Sequence, residues 1–393
     1  MDGQAMPQHD YGIYIHWPYC LKKCNYCNFN SYENANAPVE DLFDAILRQY
    51  EIEREHFVDS HLVSVYFGGG TPSLMAPEAV ERLLARISDD AGLDGVEVSL
   101  EANPGTVTPE KLKAFRQAGV NRLSLGVQSF QDEILKYLGR IHDSKQAYLA
   151  IENALEAGFD NWGLDLILGT SLSTERSLKK DLEILISFAP KFVSAYMLSI
   201  EEGTDFGKRH KKGEKLSLGE DEVSKQYEIT SESLENIGML QYEISNYALP
   251  GFHSRNNCLY WHGDEYLGLG PGAHGFRYLN RYERGVRNEC QPVPENYIKS
   301  ISTYSNYLEN SEAIDQEMLS REFIFCRLRL AEGLDLLEYE KRFGKDLVKT
   351  FKNEVASLES RGLVEIIVES DRKYLRLTKL GRLFADEITV KFF

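Results

Sequence analysis

Three of the six cysteines in the chain fall within one short stretch, CLKKCNYCNF, as Cys20, Cys24 and Cys27. Thiolates that close together make a metal site. They cannot share a metal from a strand, where alternate residues face opposite ways, but they can from a loop. Structural zinc asks for a fourth ligand, usually a further Cys or Cys/His pair, and none follows. A 4Fe-4S cluster held by three Cys leaves one iron open for a substrate or cofactor. Zinc and a fortuitous cluster stay open as alternatives here. Cys258, Cys290 and Cys326 are scattered singly. A disulfide framework does not suit a large chain in a reducing compartment.

Other residues of the same chemical usefulness recur at intervals. The segment YFGGGTPS (66–73) holds Gly69, Gly70 and Thr71, and glycine permits close backbone approach. Glu101 lies in SLEANPG, Gln128 in LGVQSF, Arg140 in LGRIHD and Asp165 in GLDLILG. Each alone reads as an ordinary solvated or core-satisfied residue. Together they offer carboxylates for hydroxyls and an ammonium, a guanidinium for a carboxylate and an amide for hydrogen bonds. No residue is assigned a catalytic role.

The elements that must position them follow an alternating rhythm. Strand-length apolar runs occupy 11–17, 62–67, 96–102, 121–127, 163–169 and 192–200. Helical patterns lie between them, as at 39–50, 108–119, with Thr108 as N-cap and Pro109 at the first position, and 144–158. Such repetition predicts parallel βαβ units with right-handed crossovers, in an open sheet or a partial barrel. The loops after the strand C-termini carry the site in either case, and the first of these holds the cysteines. After residue 200 the rhythm breaks. Residues 203–220 read as a charged surface connection, 221–237 as a helix and 241–276 as an aromatic and Gly-rich segment. Helices over 317–330 and 346–361, a hairpin over 363–377 and a short last helix over 378–388 read as a winged-helix-like module. Domain boundaries are expected at 240 and 290.

Composition narrows the function classes. The net charge of −17 argues against bulk binding of nucleic acid or anionic membrane. The stretch 347–393 balances nine Lys or Arg with seven Asp or Glu, so a docking or lid role suits it better than DNA binding. No apolar run has the length of a membrane span, and the polar first ten residues lack the form of a signal peptide. A cytoplasmic protein is expected.

Cys-x-x-x-Cys-x-x-Cys resembles the signature of the radical S-adenosylmethionine (SAM) enzymes. That resemblance implies a 4Fe-4S cluster on Cys20, Cys24 and Cys27, its open iron chelated by the amino and carboxylate groups of SAM. It further implies reductive cleavage of the sulfonium C–S bond to methionine and a 5′-deoxyadenosyl radical, with an electron donor for the cluster. The Gly-rich segment would bind the methionine amino group, and Glu101, Gln128, Arg140 and Asp165 would surround SAM, with Tyr14 adjoining it. YIHWPYC, GGGTPS, EANPGT, GVQSF, LGRIHD, GLDLILG and LTKLGRLFADEI together resemble one branch, the oxygen-independent coproporphyrinogen III oxidases and their HemW-type haem-chaperone relatives. The fold implied is a partial (β/α)6-type barrel with a mostly helical, winged-helix-like C-terminal domain. The oxidases carry a further cysteine where this chain has Phe29, and a long segment before the first strand. Both differences match the chaperones, which bind haem and deliver it to client haem proteins such as respiratory ones. Two departures stand out. The His that the chaperones are proposed to use for haem is Asn256 here, and an amide is a poor iron ligand. Nearby His253, Cys258, His262 and His274 are the available substitutes. GTSLST (169–174) departs from the family loop beside the cofactor. The competing functions are the oxidase itself and a radical SAM enzyme with an unrelated substrate.

Overall fold

A computed structural model describes residues 9–33, 38–303 and 305–393. Residues 1–8, which hold most of the polar start, lie outside the described residues. Six strands, β1 (His9–Trp17), β2 (Ser60–Gly69), β3 (Glu97–Ala102), β4 (Arg122–Gln128), β5 (Asn161–Leu168) and β6 (Phe192–Met197), lie side by side in chain order. Each is parallel to the next. Helices at Val39–Glu53, Pro77–Ala91, Pro109–Gln117, Ser144–Glu156 and Glu175–Ser187 make the crossovers.

The period of two along each strand divides the residues between two faces. One face is apolar: Ile13 and Ile15, Val65 and Phe67, Leu100, Leu123 and Leu125, Leu164 and Leu166, and Val193 join one core with Ile46, Leu83, Phe115, Ile151 and Leu182 of the helices. Burying each such side chain contributes about 1.5–3 kcal/mol. The other face carries Tyr14, Tyr66, Glu101, Arg122, Ser124, Asp165 and Ser194. The polar groups of alternate positions are thus gathered inside the curve of the sheet. Local signals set the helix starts. Thr108 accepts from the Lys111 N–H, and Asp143 forms a capping box with Gln146, so that Ser144 is the first helical residue.

The sheet continues beyond β6 and across residues 240 and 290. Antiparallel strands Asn246–Ala248 and Leu240–Gln241 extend it past β6. At the other side Glu265–Leu269 pairs parallel with β1. His274–Asn280, Arg284–Cys290 and Leu308–Asp315 follow antiparallel. The result is one open sheet of twelve strands. The segment 203–220 contains a short helix, Asp205–His210, and the helix Glu220–Glu235 follows it.

The C-terminal part is mostly helical, with Gln316–Arg329, Leu336–Phe343, Leu347–Thr350 and Lys352–Ser360 before the hairpin Val364–Glu369/Arg372–Leu377. Ser370 and Asp371 in its turn have φ of 47° and 65°, the left-handed pair that matches the twist of a tight hairpin. Leu334–Asp335 adds a third strand. This part has its own apolar core, which also takes in Phe276 from the large sheet and Ile244 from the bend between two of its strands.

Candidate functional site

The cysteine loop begins where β1 ends. Tyr19 and Cys20 pair with Tyr32 and Glu33, closing the loop at its base. Within it the Cys27 N–H donates to Cys24 O (3.2 Å). Asn25 pins the far end: its N–H donates to Leu138 O (3.0 Å), and its amide to Tyr137 O (2.8 Å). Lys23 Nζ donates to Phe29 O (2.9 Å) and Ser31 O (3.2 Å). The loop is therefore held by its own backbone and by the helix Asp132–Leu138. Burial pushes the Cys20 and Cys27 thiols up, and each sulfur has a charged or hydroxyl neighbour. Thr71 Oγ1 lies 3.4 Å from Cys20 Sγ. Arg140 Nη1 donates to Cys24 Sγ (3.2 Å) while its Nη2 donates to Gly126 O (2.6 Å).

The Gly-rich turn leaves β2 directly against the start of this loop. The Gly70 N–H donates to Trp17 O (2.7 Å) and the Thr71 N–H to Tyr19 O (3.0 Å). Gly69 has φ of 109°, and a Cβ on Gly70 would stand 2.8 Å from Tyr19 O. Glycine is required at both for that contact.

Three further groups come from β3, β4 and β5. Glu101 accepts from Tyr66 Oη (2.7 Å) and from the Gly69 N–H (3.3 Å). Burial is the main cause that raises its pKa to about 7, with the Asp165 carboxylate adding to it. Asp165 accepts from Ser124 Oγ (3.1 Å) and is likewise raised by burial. Gln128 has φ of 72°, a costly backbone for a residue with a side chain, and its Oε1 has no hydrogen-bond partner among the described residues.

Cys20, Cys24, Cys27, Gly69, Gly70, Thr71, Glu101, Gln128, Arg140 and Asp165 all line one cavity of about 330 Å³ at the C-terminal ends of the strands. Tyr14 is not in its wall. Its hydroxyl lies 2.9 Å from His16 Nδ1 and its ring stacks on Tyr66. His16 Nε2 reaches Asn30 O (2.8 Å), so Tyr14 acts on the loop through His16. Among the described residues no three His, Cys, Asp or Glu converge as ligands of a single ion. Zn–S bonds of about 2.3 Å would bring zinc-bound sulfurs to roughly 3.8 Å of one another. Three separated thiols around a cavity, beside the unpartnered Gln128 Oε1 and Arg140 Nε, fit a larger polar group.

Asn256 is elsewhere. It sits on the helix Arg255–His262 and is only 2% exposed. A Cβ on Gly12 of β1 would lie 3.5 Å from its Oδ1, which has no hydrogen-bond partner among the described residues. His253 stacks on Tyr242 at 4.4 Å, His262 pairs with Glu332 at 3.6 Å, and the half-exposed His274 stands 4.0 Å from Glu289. Cys258 is held up at about 12 by burial. None of the four lines the 330 Å³ cavity.

Sequence reasoning passed over Tyr26 and Asn103, which also line the cavity. Tyr26 stands between two cysteines, and an aromatic in that place is a signal the spacing offered. Asn103 caps the turn after β3 by accepting from the Gly105 N–H.

Comparisons with known proteins agree with this geometry. The model of the radical SAM superfamily matches residues 14–213, and that of the HemN C-terminal domain matches residues 314–384. The chain is 32% identical to the haem chaperone HemW of Bacillus subtilis, over 95% of this chain and 97% of that one. It is 34% identical to HemW of Haemophilus influenzae, over 97% of each. It is also 34% identical to the mitochondrial radical S-adenosyl methionine domain-containing protein 1 of Danio rerio, over 85% of this chain and 77% of that one. Among solved structures, the Escherichia coli coproporphyrinogen III oxidase HemN superposes with a TM-score of 0.82 at 21% identity, over 99% of this chain and 91% of that one. That likeness shows the shared fold. The chain belongs to the radical SAM superfamily and, within it, to the HemW family of haem chaperones.

Proposed function

We propose that this protein binds haem and passes it to client haem proteins, with a 4Fe-4S cluster on Cys20, Cys24 and Cys27 and SAM beside it. Membership of the radical SAM superfamily implies the cluster and SAM. The residues assigned to SAM are Gly69, Gly70, Thr71, Glu101, Gln128, Arg140 and Asp165, with Tyr14 acting behind them. When bound, the pair supplies one-electron cleavage chemistry. The chain's own contributions are positional and electrostatic. Arg140 holds the Cys24 sulfur with a charge-assisted hydrogen bond, and the Gly69–Thr71 turn fixes the base of the loop. Glu101 and Asp165 offer paired acceptors in a buried wall. The observation that carries the chaperone reading over the oxidase is Phe29. It rims the cavity, 60% exposed, where the resemblance to the oxidases implies another cysteine.

The test is anaerobic cluster reconstitution followed by two assays on one sample. Changing Cys20, Cys24 and Cys27 to Ala together is expected to abolish the iron–sulfur absorbance. Changing Cys258, Cys290 or Cys326 leaves it. The intact protein is expected to bind haem and to make no protoporphyrinogen from coproporphyrinogen III with SAM and reductant. Asn256→Ala leaves the Soret band in place, since a buried amide is no iron ligand. SAM-dependent decarboxylation that is lost in Cys24→Ala would reassign the protein as the oxidase.

A further inference from the structure

The protein carries a net charge of −17, yet a basic stretch stands against the cysteine loop. Residues 205–215 hold five Lys or Arg and two Asp or Glu. The short helix Asp205–His210 is fastened to the loop by Phe206. Its N–H donates to Asn25 O (2.8 Å). Its ring is fully buried among Ile134, Leu138, Ile167 and Leu216, with Tyr26 and Tyr137 beside them.

The charges divide into two sets. Arg209 turns inward, paired with Glu214 and Asp205 and lying 5.5 Å over the Tyr137 ring. Lys211 pairs with Glu202 at 3.0 Å. Lys208, Lys212 and Lys215 are exposed, and none makes an ion pair among the described residues. Lys22 on the loop and Lys136 on the helix that pins Asn25 are exposed as well and extend the same sign. Leu21 and Phe29, 61% and 60% exposed, flank the thiols.

Unpaired cations with two exposed apolar side chains fit an anionic protein surface, which uses both. The patch is continuous with the loop that carries the thiols, so its partner is one that must approach that loop. We propose that the Lys208–Lys215 segment and the outer edge of the cysteine loop form the docking surface for an acidic one-electron carrier protein. The carrier loses one electron, the cluster gains it, and no atom is transferred. This rests on the assignment of the cluster to Cys20, Cys24 and Cys27.

The test uses reduced flavodoxin as the carrier and reads its binding by calorimetry at two salt concentrations, with and without the reconstituted cluster. Reversing Lys208, Lys212 and Lys215 together to Glu is expected to weaken binding at least tenfold and to flatten its salt dependence. Reversing Lys352, Lys373 and Lys391, which changes the net charge equally at the C-terminal part, leaves binding within threefold. Reduction of the cluster by dithionite is the same in all three proteins. Equal loss from both triple reversals, no loss from either, or wild-type preference for a single-stranded RNA over flavodoxin overturns the docking surface. Failure to assemble a cluster, or assembly that survives loss of the three cysteines, would instead strike at the cluster assignment.

Discussion

At the residue scale the site is governed by burial. Glu101 is a carboxyl group with a tyrosine hydroxyl and a backbone N–H as its donors, and among the described residues no cation pairs with it. Its pKa of about 7 in the folded protein exceeds that of the unfolded chain, so the folded state binds its proton more tightly. Below the unfolded pKa both states are protonated and no penalty exists. As pH rises towards 7 the unfolded state ionises first, and folding loses stability until the folded carboxyl also ionises. One pKa unit corresponds to about 1.4 kcal/mol, so a rise from the ordinary 4.5 to about 7 makes the loss at pH 8 on the order of 3–4 kcal/mol. Glu101→Gln removes it. Urea unfolding of the cofactor-free protein should show this variant more stable than wild type at pH 8 and level with it at pH 4. An advantage that is unchanged between the two pH values would mean that the carboxyl does not titrate as argued. A bound ammonium beside Glu101 acts the other way and favours the charged form, so SAM should narrow the difference.

At the element scale the site depends on a backbone contact between the Gly-rich turn and the first residues after β1. Gly70→Ala places a Cβ against backbone atoms at 2.8–3.0 Å, which cannot rotate away. The turn and the cysteine loop must then separate. The expected cost is about 1–3 kcal/mol, with at least half of the bound iron lost after reconstitution. Gly219→Ala is the control, because its Cβ meets only a flexible Glu222 oxygen at 3.5 Å. Equal iron retention in the two variants would remove the turn from the account of the loop. This turn was legible in the sequence, as were the six parallel strands, because Gly clustering and period-two alternation are local signals. The Arg140–Cys24 contact was not legible: it joins residues 116 positions apart, and no local pattern encodes which loop folds over which. The strand Glu265–Leu269 was missed for the same reason. Its YLGLG alternation is short and Gly-rich, and only its place beside β1 makes it a strand. The helix Arg255–His262 lay hidden among aromatics, whose helix propensity is weak.

At the scale of the whole molecule the question is whether the winged-helix-like part folds apart from the sheet. Boundaries at 240 and 290 would make it a unit that melts on its own. The packing argues for coupling. Ile244 and Phe276, from strands and loops of the large sheet, are members of the C-terminal apolar core, so that core is incomplete without them. Arg287 of the strand Arg284–Cys290 joins Glu322 of the helix Gln316–Arg329 through two parallel hydrogen bonds of 2.8 Å. Such a fork is geometrically specific as well as favourable. The two side chains remain 33% and 27% exposed, so solvent screening keeps the contribution of the pair near 1 kcal/mol. Separate transitions are the ordinary behaviour of weakly coupled domains, whereas a shared core predicts one. Calorimetry of the wild type is expected to show a single transition. Arg287→Met should lower its midpoint by only about 1 °C, since the unfolding entropy of a single transition scales with chain length, without splitting it, and Glu322→Gln added to that change should cost little more, since the pair is already broken. Two resolved transitions in the wild type would mean that the C-terminal part is autonomous and that its contacts with the sheet are a docking surface rather than a common core.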